Sequence, residues 1–572
     1  MYKHIAFFDS LLYNTFIKIF FGIIEKLMVS QVSTELTLKL YYHKTFFVLF
    51  RFSGRRPCFN LGKCGFSPHF FFYVKKQNFF GGKTMDKFFK ITERGSNYRK
   101  EIVGGLTTFF AMAYIIFVNP AQVAAEGANG WLAGLGADSA ALGKIWNSVF
   151  IASVLVAFVG TMLYAFYAKL PYAQACGMGL NSFFCTCFIS GAYFAGVDLI
   201  GGYHSGMVLV FLSGIVFLLL SITGAREYIA KAMPECLKKA IPAGIGLFIA
   251  LIGFKNSGLV VANQYTFVQF ADINGAISKV GTDGFTGFDA WCEIAPAVVA
   301  FLGLVIIAVL TKLNVKGGVL IGVLSSAVLY YVFTLQVPEF DMSAIGQAFK
   351  DFGEIGVTGL FNAEAWELAF TGKHIGGIFS AIVLIISFCI VDMFDTVGTL
   401  YGAATEAGML DENGDPIDMD KAMTCDSVGT LTGAVLGTST CTTFVECASG
   451  VAAGARTGFA SLVTSLCFLA CLFLTPLANI VPSCATAPAL IFVGVLMLKN
   501  FSNVDMTDMR SAVPAFLTLV MMPLTYSISN GIGIGCISYI LITLLTGKFT
   551  KKDIVATVIA VLFLAKFIFV TM

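Results

Sequence analysis

The stretch FSAIVLIISFCIVDMFDTVGTLYG, residues 379–402, decides the class of this chain. It is apolar over the length of a membrane-crossing helix, yet it carries Asp392 and Asp395 in its interior. About 20 apolar residues in a helix cross the hydrocarbon core of a bilayer. Carboxylates at that depth are costly and turn away from lipid, toward a bundle interior or a wet cavity. A spacing of three puts both acids on one helix face, with Thr399 one turn beyond Asp395. Two readings follow: the acids accept hydrogen bonds from neighbouring helices, or they serve a solute. Their pairing on one face favours the second.

The rest of the sequence has the same character. Of its 572 residues, 57% are hydrophobic and 12% charged, about half the charged share of a soluble domain. A mean hydropathy of +0.82 excludes a soluble globular protein. The net charge of +3 is too small to suggest nucleic acid as a partner, and the basic residues sit between apolar runs. Most of the fifteen cysteines, Cys176, Cys389 and Cys441 among them, lie inside apolar runs, where they act as small packing groups. No paired CxxC spacing points to a metal, and no cofactor is expected.

Apolar segments predict an all-α polytopic membrane protein with about fourteen spans. They fall near 102–119, 145–168, 176–190, 205–223, 240–256, 293–311 and 317–335, then 375–402, 424–437, 440–454, 457–476, 484–499, 511–527 and 530–547. A further run, 553–570, either spans or lies along the interface. Arg94, Arg99 and Lys100 precede the first span, and Arg226, Lys231, Lys238 and Lys239 follow the fourth. Lys312, Lys316, Lys548, Lys551 and Lys552 fall on the same side, which predicts a cytoplasmic N-terminus. The two sets of seven echo each other: KAIPAGIGLFIALIGFKN (239–256) against CATAPALIFVGVLMLKN (484–500). Seven spans per half insert the halves with opposite orientation. The expected units are a first inverted repeat, 85–338, a second, 339–547, and a C-terminal apolar segment, 548–572.

The third segment of each half is unlike an ordinary span. PYAQACGMGLNSFF (171–184) carries Gly177 and Gly179 just before Asn181, and GTSTCTTFVECASG (437–450) crowds hydroxyls before Glu446. Both suit a short extended stretch followed by a half helix, a geometry tolerated at membrane depth only where the backbone finds partners or lines a cavity. An ionised carboxylate accepts two N–H donors from the edge of a planar base, and an amide such as Asn181 offers both a donor and an acceptor. Phe444 is placed to stack on such a ring. Two acids in a low dielectric are costly to keep charged together, so one can carry a proton and couple its movement to the solute. The expected substrate-binding set is Asn181, Asp392, Asp395, Phe444 and Glu446, with Asp392, Asp395 and Glu446 as proton carriers.

Four strings resemble a known family: GGLTTFFAMAYIIFVNP (104–120), ACGMGLNSFF (175–184), VDMFDTVGTLYG (391–402) and GTSTCTTFVECASGVAAGARTG (437–458). They are similar to the AzgA-like purine (hypoxanthine/guanine/adenine) branch of the nucleobase–ascorbate transporter superfamily, over about 85–572. The resemblance implies a seven-plus-seven inverted-repeat fold with core and gate domains. It also implies proton symport of a purine across the bacterial cytoplasmic membrane, and purine contact by residues matching Asn181, Asp392 or Asp395, and Glu446. Homodimers occur in the superfamily. In its uracil and xanthine branches the eighth-segment acid is usually Glu, so Asp-Met-Phe-Asp at 392–395 favours the AzgA-like branch, with a uracil/xanthine-type permease as the nearer alternative. An intramembrane aspartyl protease is remote, because the only Asp after Gly is Asp415, in the polar loop 411–422. An anion carrier is remote too, since buried acids repel its cargo. The loop itself looks like the start of a calcium-binding loop but has Pro416 and Ala422 where Gly and Glu are needed.

Residues 1–84 differ in composition and are foreign to that pattern. Lys18, Glu25 and Lys26 interrupt their one long apolar run, 11–29, and no cleavable signal is visible. Gly81-Gly82 is encodable as a ribosome-binding sequence a short distance before Met85, so translation is expected to start at Met85; the alternative keeps 1–84 as a disordered or extra segment with a single helix at 11–29. Gly81-Gly82-Lys83-Thr84 is not a phosphate loop, because Gln77 stands where that motif needs Gly. Mass spectrometry of the mature N-terminus is therefore expected to yield a peptide beginning at Met85, and any peptide from within 1–84 would refute it.

Overall fold

The computed structural model describes residues 82–223, 233–263, 265–282, 285–338, 340–412, 416–550 and 553–569. The expectations for residues 1–81, and Arg226, Lys231, Lys551 and Lys552 of the orientation count, lie outside the described residues. Met85–Met572 forms one compact unit.

The first half begins with α1 (Tyr98–Met112) and α2 (Ile115–Val123) in one run, then α3 (Ser139–Leu163), β1 (Gln174–Cys176) and α4 (Met178–Phe184). It continues through α5 (Leu199–Ile222) and α6 (Glu235–Asn256), a hairpin of β2 (Val260–Asn263) and β3 (Phe267–Phe270), α7 (Gly287–Lys312) and α8 (Gly318–Thr334). The second half holds α9 (Gly377–Ala407), α10 (Met419–Leu436), β4 (Cys441–Thr443), α11 (Cys447–Ala452) and α12 (Gly458–Ala470). It ends with α13 (Ser483–Leu498), α14 (Met509–Leu524), α15 (Ile528–Leu545) and α16 (Asp553–Phe569). Among the described residues, nine helices are long and apolar enough to cross a membrane. The chain is thus an all-α polytopic membrane protein apart from its two short strand pairs.

Helix starts follow local chemistry. The side chain of Asn97 accepts from the Lys100 N–H at α1, Asp138 from Ala140 and Ala141 at α3, and Asp508 from Arg510 at α14. Thr286 and Asp289 cap each other reciprocally at α7. Between α1 and α2 the turn at Ala113–Tyr114 tightens, with Phe117 N–H reaching the Tyr114 carbonyl at 3.1 Å. Pro120 lies one turn further on and has no N–H to give back to the helix.

Two sets of helices pack within themselves. One joins α6, α7, α8, α13, α14 and α15; the other joins α1, α3, α5, α9, α10, α11 and α12. The run 553–570, which the sequence left undecided, is the helix α16 and packs on α15.

The middle of the second set is not helical. β1 and β4 pair antiparallel, with Gln174 opposite Thr443, Ala175 opposite Thr442 and Cys176 opposite Cys441. The ladder extends at both ends, from Gly177 N–H to Thr440 O at 3.1 Å and from Phe444 N–H to Ala173 O at 3.2 Å. All six strand residues are buried. Their polar backbone is satisfied by each other, which is what lets extended chain exist away from water. Gly160 of α3 and Gly429 of α10 make room for the Gln174 side chain, for a Cβ at either position would strike its Oε1. Gly429→Leu is therefore expected to displace Gln174 and cost about 1–3 kcal/mol. The detergent-purified protein should melt at a lower temperature, and an unchanged melting temperature would contradict this packing.

Candidate functional site

Polar side chains gather around the crossing of β1 and β4 in three groups. The first holds Glu446, Tyr114 and Asp395. Glu446 follows β4 and sits at the N-cap of α11, half-buried. Tyr114, fully buried at the tightened turn of the α1–α2 run, donates its hydroxyl to Glu446 Oε1 at 2.6 Å. Asp395 of α9 is half-buried and near enough to feel the charge of Glu446. It has no hydrogen-bond partner among the described residues.

The second group surrounds Asn181, on α4. Its Nδ2 donates to Asn119 Oδ1, and its Oδ1 accepts from Ser439 Oγ. Asn119 in turn donates to Ser153 Oγ and to Thr438 Oγ1, the latter at 3.2 Å. Both halves of the Asn181 amide are thus engaged by the protein.

The third group contains two more carboxylates. Asp392, 1% exposed, accepts from Thr430 Oγ1 at 2.8 Å. Asp426 of α10 is fully buried and accepts from Gln174 Nε2 at 2.8 Å, Thr443 Oγ1 at 2.9 Å and Thr396 Oγ1. The Tyr164 hydroxyl, 2.6 Å from Thr443 Oγ1, extends the chain. A buried carboxylate with three donors is anchored; remove it and those donors lose their acceptor.

The structure therefore brings Asp395 and Glu446 together and sets Asp392 and Asn181 in neighbouring networks. The expectation that Asp392 and Asp395 face one site meets a plain geometric limit. Three residues of helix leave about 60° between side chains, enough for Asp392 to bond Thr430 of α10 while Asp395 lies toward the charge of Glu446. Phe444 is 5% exposed and sits in the core beside the strand ladder. Arg456 is bound into the chain by its Nη1, which donates to Val451 O at 2.7 Å and Ala455 O at 2.6 Å.

Three residues escaped the sequence reading. Asp426 lies inside the expected span 424–437, where a carboxylate is as costly as Asp392 is in its own segment. Glu101, fully buried, receives the N–H groups of Arg456, Thr457 and Ala460 at the start of α12. Tyr114 had no signal of its own within an apolar run.

The comparison with known sequences now bears on this arrangement. The model of the xanthine/uracil permease family, described as a permease family, matches residues 99–534. The chain belongs to that family. Membership makes this permease a transporter and sets the protease reading aside. The guanine/hypoxanthine permease PbuG of Bacillus subtilis (strain 168) is 39% identical over 488 residues, 85% of this chain and 100% of the relative. The adenine permease AdeP of Escherichia coli (strain K12) is 34% identical over 491 residues, 86% of this chain and 97% of the relative. Among solved structures, the transmembrane domain of the cyanobacterial bicarbonate transporter BicA is 12% identical with a TM-score of 0.49. It covers 75% of this chain and 96% of that one, a likeness too faint to carry a cargo across.

The two kinds of buried acid separate experimentally. Asp426→Ala is expected to lower the melting temperature in detergent, since each stranded donor costs roughly 1–3 kcal/mol. Asp395→Ala, which strands no donor, should leave it unchanged. Equal melting temperatures for both variants would contradict the division.

Proposed function

We propose that this permease takes up purine nucleobases across the bacterial cytoplasmic membrane together with a proton. The observation that carries the reading is the pairing of Tyr114, Glu446 and Asp395. Tyr114 fixes one oxygen of Glu446, while Oε2 takes no side-chain donor from another described residue. Glu446 thereby keeps a set orientation and an open acceptor. A base edge with adjacent N–H and NH₂ groups matches an acceptor of this kind, and Asp395 beside it supplies a second. The relatives named as guanine/hypoxanthine and adenine permeases support the purine class.

The proton follows from the same geometry. Two carboxylates near enough to feel each other's charge at membrane depth are costly to move while both are charged. A proton on one, and purine N–H groups on the other, leave a site with little net charge. Asp395 and Glu446 are the carriers in this reading. Asn181, Asp392 and Phe444, which the sequence alone places against the base, act behind them: the first two through the networks that hold the strand crossing, Phe444 as the ring at the end of the ladder.

The seven-plus-seven inverted repeat belongs to this proposal. Its support is that β1–α4 and β4–α11 occupy the third place in each set of spans and meet antiparallel. In this reading the two packing groups of helices serve as a gate and a core, and the basic loops support a cytoplasmic N-terminus.

Uptake of radiolabelled guanine, hypoxanthine and adenine by a permease-deficient bacterial strain tests the whole reading, with and without a protonophore. Uptake is expected to be saturable and to collapse with the protonophore. Glu446→Ala and Asp395→Ala should abolish it with membrane expression intact. Tyr114→Phe should lower it about tenfold, the equivalent of one hydrogen bond to a charged group. Uptake of uracil in preference to purines would move the assignment to the alternative branch, and normal transport by either carboxylate variant would overturn the site.

A further inference from the structure

Where the two sets of helices meet beyond the end of α2, the contact is made by charge and aromatic rings. The segment that follows α2 is seated on the set that carries Asp395 and Glu446. Glu126 and Gly127 turn it through the left-handed region, at φ 72° for each. Gly127 lies against the Trp146 ring of α3, where a Cβ would come within 3.2 Å. Leu132 is fully buried, which fixes the turn Trp131–Gly134 around it. Trp131 is left half-buried at the edge of its set.

Three helices of the other set converge on that edge. Lys255, half-buried in the last turn of α6, holds its Nζ 3.5 Å from the centre of the Trp131 ring. Tyr526, just past α14, has its ring centre 5.2 Å from the same Nζ. It packs edge-on against Phe248 of α6, with ring centres 5.4 Å apart, so it belongs with Lys255. Ser483 at the start of α13 and Asn256 stand beside the Glu126 carboxyl, and the Lys255 charge is felt there. A cation over the face of a ring partly out of water is held by electrostatics. The nearby acid offsets the cost of taking that cation halfway out of water.

At mid-depth α6 meets α4 in another way. Gly179 presents no side chain, and a Cβ there would strike Ile245 Cγ2. Apolar contact of that kind has no direction, so two surfaces slide across it. A cation on a ring is made at one relative placement of the two sets.

We propose that Lys255 on Trp131 is a gate at the outer end of the permease, closed in this structure, which parts to admit a nucleobase and re-forms behind it. The proposal rests on the purine-uptake reading and its orientation, in which α2, α6 and α14 end outside and α13 begins there. Asp395 and Glu446 belong to one set alone, so access from outside requires the sets to separate at that end. Lys255 and Trp131 lie across the line of separation. Breaking their contact is part of the cost of opening, and re-forming it favours closure over bound cargo.

Uptake of radiolabelled hypoxanthine tests the gate. Trp131→Ala and Lys255→Met favour the open form, so external purine binds at less conformational cost while closure slows. Each is expected to lower KM and the maximal rate together, about three- to tenfold, the equivalent of a cation–ring contact. Trp131→Phe and Lys255→Arg should stay near the original values. The double variant should match either single one, because both remove the same contact. A variant damaged only in folding would lose maximal rate without the fall in KM, and that result counts against the gate. If Trp131→Ala fails to reach the membrane, the contrast between Lys255→Met and Lys255→Arg decides. A KM unchanged or raised in Lys255→Met, or a double variant whose losses multiply, would overturn the gate while leaving purine uptake standing. Failure of the unaltered protein to take up any purine would instead defeat the functional reading, and the gate with it.

Discussion

Everything in the centre of this permease depends on a few backbone hydrogen bonds between Gln174–Cys176 and Cys441–Thr443. Within a bilayer a peptide group that leaves a helix has no water to turn to, and each unsatisfied group costs several kcal/mol. Two non-helical segments, one from each half of the chain, solve this jointly. Each is the other's partner, so neither conformation is stable without its counterpart. The half helices α4 and α11 begin only because the strands before them are held, and those helices carry Asn181 and follow Glu446.

The side chains around the crossing extend the same logic. Asp426 gathers donors from α9, from β1 and from β4, so one carboxylate ties three elements that are distant in sequence. Glu101 does similar work where α12 begins, receiving three N–H groups that the helix start would leave bare. These acids are consumed by the fold. Glu446 and Asp395 differ because the protein leaves acceptor capacity on both. In a membrane protein, burial of an acid therefore does not distinguish scaffold from site; the number of its donors already supplied by the chain does.

Much of this was legible in the sequence. Among the described residues, apolar length located the nine helices long enough to cross a membrane, and the hydroxyl-rich and glycine-rich third segments announced extended chain. Asp392 and Asp395 were visible as costly residues, yet their spacing alone could not reveal that they part company. Helical periodicity reports the face of an element and says nothing of which neighbour lies against it. Tyr114 was hidden for a related reason: a tyrosine within an apolar run is ordinary, and only the tertiary approach of Glu446 gives its hydroxyl a task.

The short ladder also limits how this protein can change over evolutionary time. Residues alternate sides along extended chain, so gaining or losing one residue in β1 or β4 would exchange every buried side chain for its neighbour. Gln174 would leave the space between Gly160 and Gly429, and Glu446 would turn away from Tyr114. Substitutions at the centre can retune affinity one group at a time, but insertions and deletions there are lethal to the architecture. Diversity of cargo within such a lineage must arise by exchanging side chains on a backbone of constant length.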